Sequence, residues 1–187
     1  MCSLKGGKGL KDSSLNEVYE THFQDVYHYL LYFTNSQSDA EDLTQDTFIR
    51  ALKNYEQFEQ RSSVKTWILS IARRTAIDHY RKRKVISILP DIIAHLGKSN
   101  EGNPDIELDQ TNDWETLQKA LATLKPDYRN VVILRGLKEY SVKETAEILN
   151  CKESKVKVDF HRAIKLLKNQ LSKSSEGVVI FNEQKRS

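Results

Sequence analysis

The sequence predicts an all-α protein made of two small helical domains joined by a flexible linker, and three observations predict it. Apolar residues recur at helical spacing from Leu15 to Lys84 with neither Pro nor Gly between them, and the pattern resumes near Asn112. The intervening "SILPDIIAHLGKSNEGNPDIELDQ" holds two of the three prolines and reads as a tether. No useful length of strand alternation and no internal repeat occurs anywhere. With 187 residues, 39% of them apolar, the chain can bury a modest core in each of two domains. The expected division is a disordered start at 1–14, a first domain at 15–84, a linker at 85–111, a second domain at 112–172 and a tail at 173–187, where "VVIF" is an apolar run in an otherwise polar end.

Capping signals place the helix starts. Ser38 with Glu41, Asn112 with Glu115, and Ser141 with Glu144 each set a capping side chain three residues before a Glu that can reach back to free backbone donors. Pro126 suits the first turn of a further helix after a break at Leu124 and Lys125.

In the first domain, "SDAEDLTQDTFIRALKNYEQF" offers Leu43, Phe48, Ala51, Leu52 and Tyr55 as a packing stripe. Asp42, Gln45, Asp46, Ile49 and Lys53 then fall on an outer, partly acidic surface. Such a surface repels DNA and fits a protein partner. Next, "VKTWILSIARRTAIDHYRKRK" puts Val64, Trp67, Ile68, Ile71 and Thr75 on one helical face and Ser70, Arg73, Arg74 and Arg81 toward the other. Basic residues at a helix C-terminus complement the macrodipole, which accounts for "RKRK" as a solvated end. It does not account for Arg73 and Arg74, which lie well upstream.

In the second domain, "YSVKETAEILNCKESKVKVDFHRAIKLLKNQL" contains two helix-patterned segments around a short break. Ala146 is small and faces inward, Asn150 tolerates the left-handed conformation of a sharp turn, and Val156 and Phe160 supply the buried side of the next helix. Those offsets let two helices cross closely, which a helix-turn-helix requires. The second helix carries Lys155, Lys157, Arg162, Lys165 and Lys168 against the acid Asp159. A solvated helix face is the plain reading of that charge run. With the turn pattern, DNA in the major groove is the better one, and Lys155, Lys157, Val158, His161 and Arg162 are the residues expected to face it.

Several classes are disfavoured. Cys2 and Cys151 lie far apart, so a disulfide framework is not expected, and zinc would need more ligands. No cofactor or metal site is expected. There is no run of eighteen apolar residues and no apolar stretch after the first lysines, so neither membrane insertion nor a secretory signal is supported, and a cytoplasmic protein is expected. The net charge of +3 says little by itself.

"DAEDLTQDTFIRAL", "KTWILSIARRTAIDHYRKRK" and "SVKETAEILNCKESKVKVDFHRA", in that order, resemble regions 2.2, 2.3 to 2.4 and 4.2 of bacterial sigma factors of the extracytoplasmic function group. The resemblance covers Asn16 to Leu171 and implies a subunit that binds core RNA polymerase and confers promoter recognition and strand opening without catalysing polymerisation. It implies that Asp42, Gln45, Asp46 and Ile49 meet the beta-prime clamp helices. Trp67, Ser70, Arg73, Arg74 and Arg81, with the loop "EQRSSVK", would capture the minus-10 element. Lys155, Lys157, Val158, His161 and Arg162 would read minus-35 duplex. It further implies contact with the beta flap and control by a membrane-associated anti-sigma factor. Arg74 stands where the family commonly has Asn, Val158 where Ser is frequent, Asp159 where Arg is frequent and Ile164 where a basic residue is frequent, so promoter preference does not transfer from relatives.

A linker of about 28 residues stretches to about 90 to 100 Å and averages roughly 30 Å as a coil. It can thus bridge DNA sites one and a half turns apart, about 50 Å. Its acidic part, Glu101 to Glu115, is a nucleic-acid mimic in the path of RNA or a merely solubilising stretch. Two readings from other classes compete with the sigma factor: a self-standing helix-turn-helix regulator that binds duplex as a dimer, and a helical adaptor whose basic faces bind acidic proteins.

Overall fold

The computed structural model describes residues 7–55, 58, 62–86 and 112–172, and every regular element among them is helical. α1 (Gly7–Thr34) starts ahead of the expected boundary at Leu15. It stops where Asn35 takes a φ of 56°, a left-handed conformation that Asn adopts at low cost. The next residue able to cap is Ser36, whose Oγ accepts from the Asp39 N–H at 3.3 Å to open α2 (Gln37–Asn54). The expected cap at Ser38 is therefore displaced by two positions, because the left-handed Asn35 fixes where the new helix begins.

α3 (Val64–Ile86) follows Ser63, whose Oγ accepts from Thr66 N–H at 3.1 Å. It runs two residues past Lys84. α4 (Asn112–Thr123) starts at the expected Asn112, and α5 (Pro126–Val132) begins on Pro126, where a missing N–H costs nothing. The chain then widens to π-helical winding over Ile133–Leu137. α6 (Val142–Leu149) has the expected capping box: Glu144 N–H donates to Ser141 Oγ at 3.1 Å and Ser141 N–H donates to Glu144 Oε2 at 2.8 Å. These bonds hold the Glu144 carboxyl below its ordinary pKa. α7 (Glu153–Leu171) completes the second unit.

Val26, Tyr29, Leu30 and Phe33 of α1 pack on Leu43 and Ala51 of α2 and on Ile68, Leu69, Ala72 and Ala76 of α3. Buried Thr44, Thr47 and Thr75 return their hydroxyls to the carbonyls of Ala40, Leu43 and Ile71, so these three polar groups enter the core already satisfied. Leu117, Leu121, Leu124 and Val132 meet Ala163, Leu167 and Leu171 in the second unit. Leu52 departs from the expected stripe: it is 55% exposed, because α1 and α3 reach α2 from the side carrying Leu43, Thr47 and Ala51.

The two units are not merely tethered. Val131, Ile133, Leu134, Ile148 and Val156 join the same apolar cluster as Tyr29 and Ile68, with α6 lying on α3. Of the expected linker at 85–111 and disordered start at 1–14, residues 85–86 close α3 and 7–14 open α1, while 87–111, 1–6 and the tail at 173–187 lie outside the described residues.

Candidate nucleic-acid interface

Asn150 turns the chain between α6 and α7 at φ 51° and ψ 55°, and Cys151 N–H donates to the Ala146 carbonyl at 3.0 Å. With Ala146 and Val156 both buried, the two helices cross at close range. Burial pushes the Cys151 thiol pKa up, consistent with a packing residue. Val156, Asp159, Ala163, Leu167 and Leu171 form the inward stripe of α7. Lys157, Val158, His161 and Arg162 emerge together on the outer face, with Val158 46% exposed. Lys155 is exposed too, but its ammonium is bonded to the buried Asp159 carboxylate, which raises the Lys155 pKa. The Lys155 charge is thus already answered inside the protein. Glu153, in the first turn, is a second acid on this helix. The outward basic stripe therefore consists chiefly of Lys157, Arg162 and Lys165.

α3 distributes its expected residues unevenly. Arg74 and Arg81 are exposed. Arg73 is half-buried, with its Nε shielded and without a hydrogen-bond partner. Trp67 is half-buried against Tyr55, with ring centroids 6.2 Å apart, and Phe58, at 4.8 Å, while Ser70 donates to its carbonyl at 2.7 Å. At the basic end, Arg83 is paired with Asp39, and His79 Nε2 lies 3.6 Å from the same carboxylate. Burial lowers the His79 pKa despite that neighbour.

On α2 the outer surface is as polar as expected at Asp42 and Gln45, both exposed, but its centre is apolar. Ile49 is 51% exposed and lies with Leu52 on this side, while Asp46 bonds Arg50 at 2.9 Å. An apolar centre with a polar rim is the composition of a protein-docking patch. Arg50 also reaches Asp78 at 3.6 Å, fixing α2 on α3. Among the described residues no group of His, Cys, Asp and Glu is arranged to hold a metal, and no helix is long and apolar enough to cross a membrane.

Sequence reasoning missed the residues that join the two units. Arg129, only 7% exposed, donates to the carbonyls of Leu121 at 2.9 Å, Ala122 at 2.6 Å, Leu124 at 3.3 Å and, across the seam, Phe33 at 2.8 Å. Tyr29 donates to Asn130 Oδ1 at 2.7 Å. Asp25 lies between Lys65 at 2.8 Å and Lys138 at 3.3 Å. Burial alone would raise the Asp25 pKa, but the two ammonium groups outweigh it and lower it. The one available signal was "YRNVV", an Arg and an Asn set directly against a run that packs inward.

A basic helix-turn-helix in one unit and an apolar docking patch beside a cationic helix in the other define a DNA-binding protein that also docks on a protein. Comparison with known proteins specifies which. Residues 18–85 match the family model "Sigma-70 region 2" and residues 114–167 match "Sigma-70, region 4". The ECF RNA polymerase sigma factor SigX of Bacillus subtilis (strain 168) is 40% identical over 158 residues, which are 82% of this chain and 81% of that protein. RNA polymerase sigma factor YlaC of the same organism is 37% identical over 165 residues, 87% of this chain and 95% of the relative. Among solved structures, the sigma factor RpoE in complex with the anti-sigma factor NepR from Bartonella quintana shares the fold at a TM-score of 0.69 and 24% identity, covering 86% of this chain and 98% of that one. CnrH in complex with the cytosolic domain of CnrY gives a TM-score of 0.66 at 19% identity, covering 88% and 91%. The chain belongs to the sigma-70 family, in its ECF group: it is a sigma factor, a subunit that joins core RNA polymerase and directs transcription from promoter DNA. Its relatives are sigma factors, which are not themselves enzymes.

Proposed function

We propose a division of labour within this sigma factor: residues 112–172 read minus-35 duplex with the outer face of α7, and residues 15–84 bind core polymerase through α2 and capture and open the minus-10 element with α3. The observation that carries the proposal is the outward cluster of Lys157, Val158, His161 and Arg162 on the second helix of a tight helix-turn-helix. Lys157 and Arg162 can donate to phosphates or guanine edges, and Val158 can touch a thymine methyl. Lys155 contributes less, being held by Asp159.

Exposed Ile49 and Leu52, following Asp42, Gln45 and Asp46 along the helix, support α2 as the surface for the beta-prime clamp helices. Contact between the second unit and the beta flap belongs to the same reading. For minus-10 DNA, exposed Arg74 and Arg81 supply phosphate contacts, and the Tyr55, Phe58 and Trp67 cluster supplies an aromatic surface at the entry to α3. Two fold relatives were captured with anti-sigma factors or the cytosolic domain of a partner, and an anti-sigma factor at the membrane is the regulator proposed for this cytoplasmic chain.

A gel shift on promoter duplex, with and without core polymerase, tests the proposal. Protein alone should bind weakly and lose affinity steeply with salt, because a small basic footprint acts mainly by releasing counterions. Specific binding should emerge with core polymerase. Tight, specific binding without polymerase would favour a self-standing regulator.

A further inference from the structure

We infer that Asp39 holds a phosphate-binding arginine in reserve: Arg83, at the basic end of α3, is a contact for a nucleic-acid phosphate, and in the free chain the Asp39 carboxylate of α2 occupies the place of that phosphate. The inference rests on the proposed assignment of α3 to minus-10 DNA and adds to it a residue pair that sets how strongly this helix grips a strand.

Helical spacing separates Arg83 from the arginines already assigned to DNA. Arg74 and Arg81 are seven residues apart, two turns of α3, and both are exposed on one face. Arg83 follows His79 by four residues and lies with it on the side turned to the first turn of α2. There one oxygen of the Asp39 carboxylate is bonded to the Arg83 guanidinium, and the other lies 3.6 Å from His79 Nε2. Burial lowers the His79 pKa, so near neutral pH the imidazole is uncharged and Arg83 is the cation that answers Asp39.

This pair differs from the ties that hold the fold. Asp159, the partner of Lys155, is buried in the inward stripe of α7, and Arg50 spans from Asp46 of its own helix to Asp78 of α3. Asp39 and Arg83 join side chains that are 23% and 57% exposed, at the end of α3 where every residue from Arg81 to Ile86 is exposed. The start of α2 does not depend on the pair, because its capping bond comes from Ser36 Oγ. An ion pair at such exposure contributes little to stability and exchanges readily.

A phosphodiester offers the guanidinium what the carboxylate offers, anionic acceptor oxygens matched to its fork of N–H donors. A strand lying along Arg74 and Arg81 carries its phosphates past the end of the helix, where the Arg83 side chain can swing onto one of them. While Asp39 holds Arg83, the chain engages one phosphate fewer than the run "RKRK" suggests. Phosphate contacts are the part of the affinity that carries no sequence information. Asp39 is thus a selectivity residue: it trims the non-specific grip of α3 and leaves Arg74 and Arg81 in place.

Binding of the full chain to a labelled oligo-dT strand, followed by anisotropy between about 50 and 200 mM salt, tests the inference. Asp39→Asn removes the charge at nearly equal size. It should bind the strand more tightly, with a slope of log affinity against log salt steeper by about 0.7, the increment for one more phosphate on a single strand. Its advantage over the parent should then be about 2.6 times larger at the low salt than at the high. Asp39→Glu keeps the charge and should keep the parental slope. Arg83→Ala should cost more affinity in the Asp39→Asn background than in the parent and should return the slope to the parental value, a coupling that a merely structural role of Asp39 would not produce. A slope unchanged by Asp39→Asn, or a steeper slope that survives Arg83→Ala, overturns the inference. Arg74→Ala separates this failure from failure of the reading beneath it. A shallower slope in Arg74→Ala beside an unchanged one in Asp39→Asn refutes the reserve and leaves α3 on DNA, whereas slopes unchanged in both variants overturn the two together.

Discussion

Replacing Arg129 by Met removes four hydrogen bonds at once and keeps most of the volume. The carbonyls of Leu121, Ala122 and Leu124 lie where α4 ends and α5 begins, and one planar guanidinium gathers all three together with the Phe33 carbonyl. Each charge-assisted bond contributes about 1.5–3 kcal/mol net, but the sum is not additive, and losing a buried cation also returns its desolvation cost. Leaving a buried carbonyl unsatisfied costs about 1–3 kcal/mol, so losing the bonds to several of them at once should cost a few kcal/mol. Against a domain stability of about 5–15 kcal/mol, that is a large part of the total. Urea unfolding followed by circular dichroism should show a much lower midpoint for Arg129→Met. Arg162→Ala, at an exposed position, should stay within about 0.5 kcal/mol of the parent. A loss under about 1 kcal/mol for Arg129→Met, at unchanged slope, would refute the account of this residue as the clasp of the α4–α5 corner.

Asp46→Arg on the outer face of α2 should weaken capture of core polymerase while leaving melting within about 0.5 kcal/mol, since the Arg50 pair it breaks is exposed; undiminished capture would remove α2 from the docking surface. For Asp25, carboxyl titration followed by NMR should give a midpoint below the ordinary value of about 3.9, and Lys138→Met should move it upward. The sign follows from that depressed folded value: Asp25 stabilises the seam above its unfolded pKa, and this stabilisation is lost as pH falls through the lower folded one. A midpoint at or above the ordinary value would contradict the tie.

The parts of the fold that depend on neighbours in sequence were legible. The capping box at Ser141 and Glu144, the Pro126 start and the left-handed Asn150 are decided within a few residues, and the helix-turn-helix follows from them. What the sequence did not disclose depends on what packs from outside. Leu52 satisfies the helical period of a packing stripe but no helix arrives on its side. Arg73 satisfies the period of an outer face and is half-buried, with its Nε shielded. Ser38 fits a capping box equally well, and only the turn at Asn35 moves the cap to Ser36. Arg129 and Asn130 bury polar groups whose partners are a corner carbonyl set and a tyrosine, with Tyr29 about a hundred residues away in sequence, at a separation of 101. Periodicity carries no information about such partners.

The division between duplex reading and strand opening is tested most directly by transcription in vitro from two templates, one fully duplex and one with a pre-melted bubble over the minus-10 element. On duplex, Arg74→Ala and Arg162→Ala should both be impaired, Arg162→Ala by about 1–3 kcal/mol in recruitment if it makes a bidentate base contact. The bubble supplies the separated strands, so it should rescue Arg74→Ala and leave the defect of Arg162→Ala largely in place. Equal rescue of both variants, or of neither, would contradict the assignment of melting to α3 and duplex reading to α7.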